Sequence, residues 1–247
     1  MLRDDLCKYL NNLLQSSNYR DYCPNGLQIE GKHLIQKVAC GVSLNQTLID
    51  YAIANSVDTI VVHHGIFWNK SSYPIVGIKH KRISALIKHD INLIAYHLPL
   101  DCHPSLGNNA QLAQLLQLNI EGQTGDQNLI WYGTLAQQTK AIEFQKFYNE
   151  KTGHQSLLQG NHDQIIDRIA WCTGSADSLF EEAIALGVDC FISGEISEPI
   201  KSLAEESGVA YLAGGHYVTE RYGIKALCNH LQEIGINSQF VEIYNQV

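Results

Sequence analysis

The chain repeats itself, and that repeat limits what it can fold into. Residues 37–101 begin KVACGVSLNQTLIDYAIANSVDTIVVHHG and, after a gap, continue ALIKHDINLIAYHLPLD. Residues 167–220 run DRIAWCTGSADSLFEEAIALGVDCFISGEI and then SLAEESGVAYLAGGHYVTE. Each half opens on a short apolar run and continues into an amphipathic helical stretch. A second apolar run follows Val57-Asp58 or Val188-Asp189. A further helical stretch leads to a third apolar run, Asn92 to Tyr96 or Val209 to Ala213. Strands alternating with helices in this way predict an α/β fold of two similar β-α-β-α-β halves. Their sheets should be mainly parallel and covered by crossover helices.

The rest of the chain is placed around that repeat. Residues 1–101 form the first half, with 221–247 expected to pack on it. Residues 102–166 match neither half and read as a small inserted α+β segment. It has a helix from Asn109 to Leu118, a strand from Leu129 to Leu135 and a helix from Ile142 to Lys151. Residues 167–247 form the second half, ending in a helix from Ile224 to Ile234 and a strand from Gln239 to Tyr244. Ser43 precedes Gln46 by three residues, and Ser178 precedes Glu181 by three. Both pairs have the spacing of a capping box at the start of a helix. Asn108-Asn109 is placed to cap the helix that follows.

Three of the histidine clusters fall at matching points of the repeat. His63-His64 ends the apolar strand Thr59-Ile60-Val61-Val62. His97-Leu-Pro-Leu-Asp101 follows Asn92 to Tyr96, and His216-Tyr-Val-Thr-Glu220 follows Val209 to Ala213. His97 aligns with His216, Asp101 with Glu220, and His64 with Glu195. All lie just beyond the carboxyl ends of strands, where open α/β sheets bind ligands. Imidazole with carboxylate suits Zn, Fe, Mn or Co. Five or six donors exceed what one catalytic zinc takes, and predict two divalent ions in one pocket, roughly 3.5–4 Å apart. Pro99 disfavours a helix interior, so His97 and Asp101 are expected on a turn. A lone histidine is more often a surface or core residue than a ligand. His33, His80, His89, His103, His154, His162 and His230 are read that way.

Composition removes several alternatives. Of the 247 residues 45% are hydrophobic and 17% charged, enough for a substantial core. The net charge is −8, and the densest basic stretch is only Lys79 to Arg82. A dedicated nucleic-acid-binding role needs a basic face and is not expected. The opening MLRDDLCKYLNNLL interrupts its leucines with charges and is not a signal peptide. No apolar run reaches the roughly 18 residues of a membrane span. A cytoplasmic location is therefore expected. The seven cysteines are scattered without a Cys-x-x-Cys pair, against a zinc knuckle or disulfide framework.

Several of these segments together resemble a known family, the GTP cyclohydrolase 1 type 2 homologues, also called Nif-three-like. They are Pro24-Asn25-Gly26-Leu27-Gln28, Val62-His63-His64-Gly65, His97-Leu98-Pro99-Leu100-Asp101, Gly107-Asn108-Asn109, Ser193-Gly194-Glu195 and Gly215-His216-Tyr217-Val218-Thr219-Glu220. The resemblance covers nearly the whole chain, with the spacing of short bacterial members that lack an extra inserted domain. It implies two similar α/β halves and a toroidal homohexamer, a trimer of dimers. It also implies a dinuclear metal centre facing an internal cavity. The matching ligands are His63, His64, Asp101, His216 and Glu220, with His97 close by. The family name records a GTP ring-opening activity attributed to some members, and roles in handling metals have been proposed for others.

The expected function is a metal-dependent hydrolase acting on a small molecule, nucleotides among the candidates. A bound hydroxide could attack a purine C8, a phosphorus or an amide carbon. His97 and Glu195 are the candidate proton-transfer groups. No glycine-rich phosphate loop is present to recognise a triphosphate. The alternatives are a metal carrier or insertase, and a metal-dependent scaffold without turnover.

Overall fold

The computed structural model describes residues 1–247. Along the chain the elements are α1 (Arg3–Leu13), β1 (Gly26–Ile29), β2 (Lys37–Ser43), α2 (Gln46–Ala54), β3 (Thr59–His64), α3 (Gly77–Lys88), β4 (Asn92–Ala95) and α4 (Leu98–Asp101). Next come α5 (Asn108–Leu116), β5 (Asn119–Thr124), β6 (Ile130–Lys140), α6 (Ala141–Thr152), β7 (Leu157–Gln159) and β8 (Ile165–Trp171). The last are α7 (Phe180–Ala185), β9 (Cys190–Ser193), α8 (Ile200–Ser207), β10 (Ala210–Ala213), α9 (His216–Glu233) and β11 (Asn237–Phe240). No helix is long and apolar enough to cross a membrane.

The chain divides into two compact units. The first is Met1–Gly107 with Gly223–Ile243, and the second is Asn108–Tyr222 with Tyr244–Val247. The fold is α/β, with one sheet in each unit. In the first, the order is β1-β4-β3-β2-β11. β2, β3, β4 and β11 run parallel, and β1 is antiparallel to β4. In the second, the order is β5-β6-β8-β9-β10-β7. β8, β9 and β10 run parallel, β7 is antiparallel to β10, and β6 is antiparallel to β5 and β8. The strands of residues 102–166 thus belong to the same sheet as β8, β9 and β10.

The repeat reaches further back than the sequence suggested. β2-β3-β4 answers to β8-β9-β10, and β1 and β7 flank β4 and β10 in the same antiparallel sense. A helix precedes each flanking strand, α1 before β1 and α6 before β7.

The central strands are apolar because both faces are covered. In β3, Ile60, Val61 and Val62 are fully buried, as are Leu93 and Ile94 in β4. Leu48, Ile49 and Ala52 of α2 join the same core cluster as Ile60 and Val62. Each such aliphatic side chain contributes about 1.5–3 kcal/mol by burial, and Ile60→Ala would cost about 2–5 kcal/mol with its cavity. In the second unit Phe180, Phe191 and Tyr211 pack ring against ring in the equivalent position.

Several local expectations are corrected. Ser43 is the last residue of β2, and Asn45 caps α2 instead, its side chain accepting from the Leu48 N–H at 2.9 Å. Ser178 lies in a 3-10 turn, Asp177–Leu179, and α7 has no side-chain cap. His97 and Asp101 are joined by one helical turn, α4, with Pro99 in its first turn, where a missing N–H breaks no helical bond. α9 starts at His216 rather than Ile224, and β11 spans Asn237–Phe240 rather than reaching Tyr244.

Candidate metal-binding sites

In the first unit, four potential ligands gather at the carboxyl ends of β3 and β4. His63 and His64 close β3, His97 follows β4, and Asp101 ends α4. Adjacent residues of a strand face opposite sides, yet the two rings lie 4.5 Å apart between centroids. His97 is 5.0 Å from His63 and 5.7 Å from His64 on the same measure. One nitrogen from each of the three rings falls within 4.8 Å of the others, a spacing that could hold a metal ion.

Each imidazole is tied back through Nδ1. His63 Nδ1 donates to the Tyr96 carbonyl at 2.9 Å. His64 Nδ1 bonds the Ser43 hydroxyl at 2.9 Å. His97 Nδ1 donates to Asp21 Oδ1 at 2.7 Å. Fixing one ring nitrogen in this way orients the other as the ligating atom. Asp101 is buried, with Oδ1 3.5 Å from His63 Nε2. Trp68 walls this cluster, 5.7 Å from the His64 ring and edge-on to His97 at 5.2 Å.

The sequence reading did not single out Asp21. Its carboxylate also accepts from the Tyr22 N–H, the Asn25 side chain and the Leu98 N–H at 2.6, 2.9 and 2.9 Å. Burial raises its pKa, but the His97, Asn25 and Leu98 donors outweigh that and hold it at about 2. The only hint was its position three residues before Pro24-Asn25-Gly26; its partner His97 lies 76 residues away. Cys23 stands beside Asp21, and burial together with the Asp21 charge pushes its thiol up to about 12. It is therefore protonated near neutrality and a poor ligand.

In the second unit, His216 is the first residue of α9 and Glu220 lies one turn on, so the two share a helix face. His216 Nε2 is 3.0 Å from Glu220 Oε2, and its Nδ1 is 2.5 Å from Glu195 Oε1. Glu195 follows β9 and takes a further hydrogen bond from the Ser175 hydroxyl at 3.0 Å. Glu195 thus stands behind His216, orienting its ring. Gly174 makes room for Glu220: it has φ +72°, and a Cβ there would collide with Glu220 Oε1. Burial lowers the His216 pKa, but Glu220 and Glu195 outweigh it and hold it at about 9.

These donors fit a borderline divalent cation. Asp101 and Glu220 are buried carboxylates, costly to bury unless paired or coordinated. The imidazoles beside them are pre-oriented, and no thiolate competes. Other histidines serve structure. His103 Nδ1 accepts the Leu106 N–H at 3.0 Å, and His230 stacks on Tyr9 and bonds its hydroxyl. Asn108 and Asn109 open α5 and are fully buried. Asn109 Oδ1 accepts from the Thr173 N–H at 3.1 Å, and its carbonyl from Trp171 Nε1 at 3.0 Å.

Comparison with known proteins agrees with this fold. The family model for Duf34/NIF3 (NGG1p interacting factor 3) matches residues 1–246. A protein of Allochromatium vinosum named GTP cyclohydrolase 1 type 2 homolog is 43% identical over 243 residues, covering 98% of this chain and 96% of that one. One of the same name from Escherichia coli is 40% identical over 247 residues, covering 99% of each. Among solved structures, protein ybgI, described as of unknown function, aligns with a TM-score of 0.95 at 40% identity over the whole of both chains. A protein of Thermus thermophilus aligns with a TM-score of 0.89 at 31% identity, again over both whole chains.

Proposed function

The chain belongs to the Duf34/NIF3 family, and we propose that it is a metal-dependent hydrolase holding two divalent ions per chain, Zn, Fe, Mn or Co. The donors are His63, His64 and Asp101 in the first unit and His216 and Glu220 in the second. When bound, such ions supply Lewis acidity and lower the pKa of coordinated water. The chain's own part is to present fixed imidazole nitrogens and to hold the substrate beside them.

The observation that carries this reading is the cavity next to the first unit's imidazoles. It measures about 400 Å³ and is lined by Pro24, Phe67, Trp68, Asn69, Tyr73 and Lys79, among others. That volume lies within the range of small-molecule sites. Trp68 forms part of its lining and packs against His64 and His97. The aromatic walls suit a flat group, and Lys79 suits an anionic one. A carrier alone requires no such cavity. The name of the curated relatives adds GTP to the substrates to be tried.

A metal-delivery role is the second reading, favoured by exposure in the second unit. The side chains of His216 and Glu195 are 26% and 41% exposed, which suits an exchangeable ion.

The chain is further proposed to be cytoplasmic and to assemble as a homohexamer, a trimer of dimers. In support, Tyr73, Val76 and Ile78 are 91%, 67% and 69% exposed, an apolar stretch that self-association would cover. Light scattering should give six times the 27.6 kDa chain mass; a stable monomer overturns that assembly.

Metal analysis of the purified full chain, followed by a screen of GTP, other nucleotides, phosphoesters and small amides with that metal restored, tests the function. Two ions per chain with metal-dependent turnover supports a hydrolase. Two ions without turnover, transferred to an apo acceptor, supports delivery.

A further inference from the structure

We propose that Asp21 is a positioning residue of the first unit's site. It holds His97 as the Nδ1–H tautomer, so that Nε2 is left as the lone-pair nitrogen of that ring in the imidazole cluster. The inference deepens the hydrolase reading and rests on it only for the use to which that lone pair is put.

Asp21 is not placed to be a ligand itself. Asp21, Cys23 and His97 are close enough together to suggest a metal group, but the carboxylate is already filled. Oδ1 accepts the Tyr22 N–H and His97 Nδ1–H; Oδ2 accepts Asn25 Nδ2 and the Leu98 N–H. A carboxylate offers about four acceptor positions, and these four donors occupy them. Asn25 closes the arrangement from the other side, its Oδ1 accepting the His97 backbone N–H at 2.8 Å. His97 is therefore gripped at its ring and at its backbone by two residues of one loop. The Asp21 side chain is only 2% exposed, so water does not compete for the ring.

The four imidazoles of the two candidate sites fall into two kinds. His63 and His64 are backed by a carbonyl and a hydroxyl. His97 and His216, equivalent in the repeat, are each backed by a carboxylate. Yet the two carboxylates come from different places in their units, Asp21 before β1 and Glu195 after β9. The repeat did not supply a carboxylate at one shared position, but each unit places one behind the equivalent ring. A carboxylate behind an imidazole fixes its tautomer and ring orientation, and so fixes where the other nitrogen's lone pair is aimed.

Nitrogen NMR of the full chain, labelled with ¹⁵N-histidine and kept metal-free, tests the assignment. In the wild type, read at a pH high enough that the ring is neutral, His97 should show a protonated Nδ1 and an unprotonated Nε2. Asp21→Asn should exchange the two. Its carboxamide oxygen is best kept on the Oδ2 side, where Asn25 Nδ2 and the Leu98 N–H both donate, against the single Tyr22 N–H on the Oδ1 side. Its NH2 then faces His97 Nδ1, which must accept, and the proton moves to Nε2. A wild-type His97 carrying its proton on Nε2 overturns the inference, and so does an Asp21→Asn chain with the wild-type pattern. The wild-type spectrum decides alone if the variant does not fold. Because no metal is present, a wrong tautomer would leave the metal reading intact. A chain that bound no metal would leave the tautomer result standing.

Discussion

Asp58 and Asp189 hold equivalent strands by the same pair of hydrogen bonds. Asp58 Oδ2 accepts the backbone N–H groups of Gln36 and Lys37 at 2.9 and 3.0 Å, where β2 begins. Asp189 Oδ2 accepts those of Asp167 and Arg168 in β8 at 2.9 and 2.8 Å. Each aspartate sits one residue before the neighbouring parallel strand, so its carboxylate fixes the start of the pairing. This is why Val-Asp recurs in the two halves: valine enters the core, and aspartate collects two N–H groups that would otherwise lack partners.

Asp58→Ala should therefore destabilise the first unit by about 1.5–3 kcal/mol, the range for hydrogen bonds to a charged group. The urea midpoint measures it. The effect should depend on pH. Burial raises the Asp58 pKa, but Lys32 and the two N–H donors outweigh it, so the folded value lies below the unfolded one. Its stabilisation is present above the unfolded value of about 3.9 and is lost as pH falls through the folded value. The gap between wild type and Asp58→Ala should hold from pH 7 to about 5 and narrow in stronger acid. A gap unchanged in strong acid would mean that the charge is not what matters.

Gly174→Ala should affect the second unit's ligand without touching a donor. The added methyl meets the Glu220 carboxylate, and φ +72° is unfavourable for alanine by about 1–2 kcal/mol. The expected result is a modest loss of stability together with loss of the ion proposed for His216 and Glu220. Metal content should fall from two per chain to one. Full metal occupancy in a folded variant would show that Glu220 is not needed as a ligand where it now stands.

The repeat and most members of the two His/carboxylate groups were legible because both rest on local signals. Apolar runs of four to six residues mark buried parallel strands, and a histidine straight after one is visible by inspection. What was missed depends on contacts distant in sequence. Asp21 looks like an ordinary loop aspartate until β4 brings His97 to it. Glu195 was aligned with His64 in the repeat, and its contact with His216, 21 residues on, was not foreseen. Ser43 had capping-box spacing, but β2 runs on through it and its hydroxyl is taken by His64, leaving the cap to Asn45. The flanking pair β1 and β7 escaped notice because strands of four and three residues carry too little periodicity to align.

His63 and His64 should separate stability from binding. His63 is fully buried, and its Nδ1 satisfies the Tyr96 carbonyl. His63→Ala should lose metal and also about 1–3 kcal/mol of stability, the cost of an unsatisfied buried partner. His64 is only half-buried and backed by a hydroxyl that can turn elsewhere. His64→Ala should lose metal with little change in the thermal midpoint of the metal-free chain. Global unfolding of the His64 variant would favour a structural metal instead.

His216 makes metal uptake a competition with a proton. With its pKa held at about 9, the metal-free ring is protonated at pH 7, and its Nε2 lies 3.0 Å from Glu220 Oε2. A cation binding at Nε2 must displace that proton. Apparent affinity at this site should therefore rise about tenfold per pH unit toward pH 9 if one proton is released. Calorimetry in buffers of different ionisation enthalpy counts the protons directly. The metal-free chain should respond in the opposite sense. The folded pKa is raised above the unfolded value of about 6.5, so this contribution to stability is complete below that pH and lost as pH climbs through about 9. His216→Ala should remove both effects together. An affinity independent of pH between 6.5 and 8.5 in the wild type would show that the Glu220–His216 pair does not hold its proton against the ion.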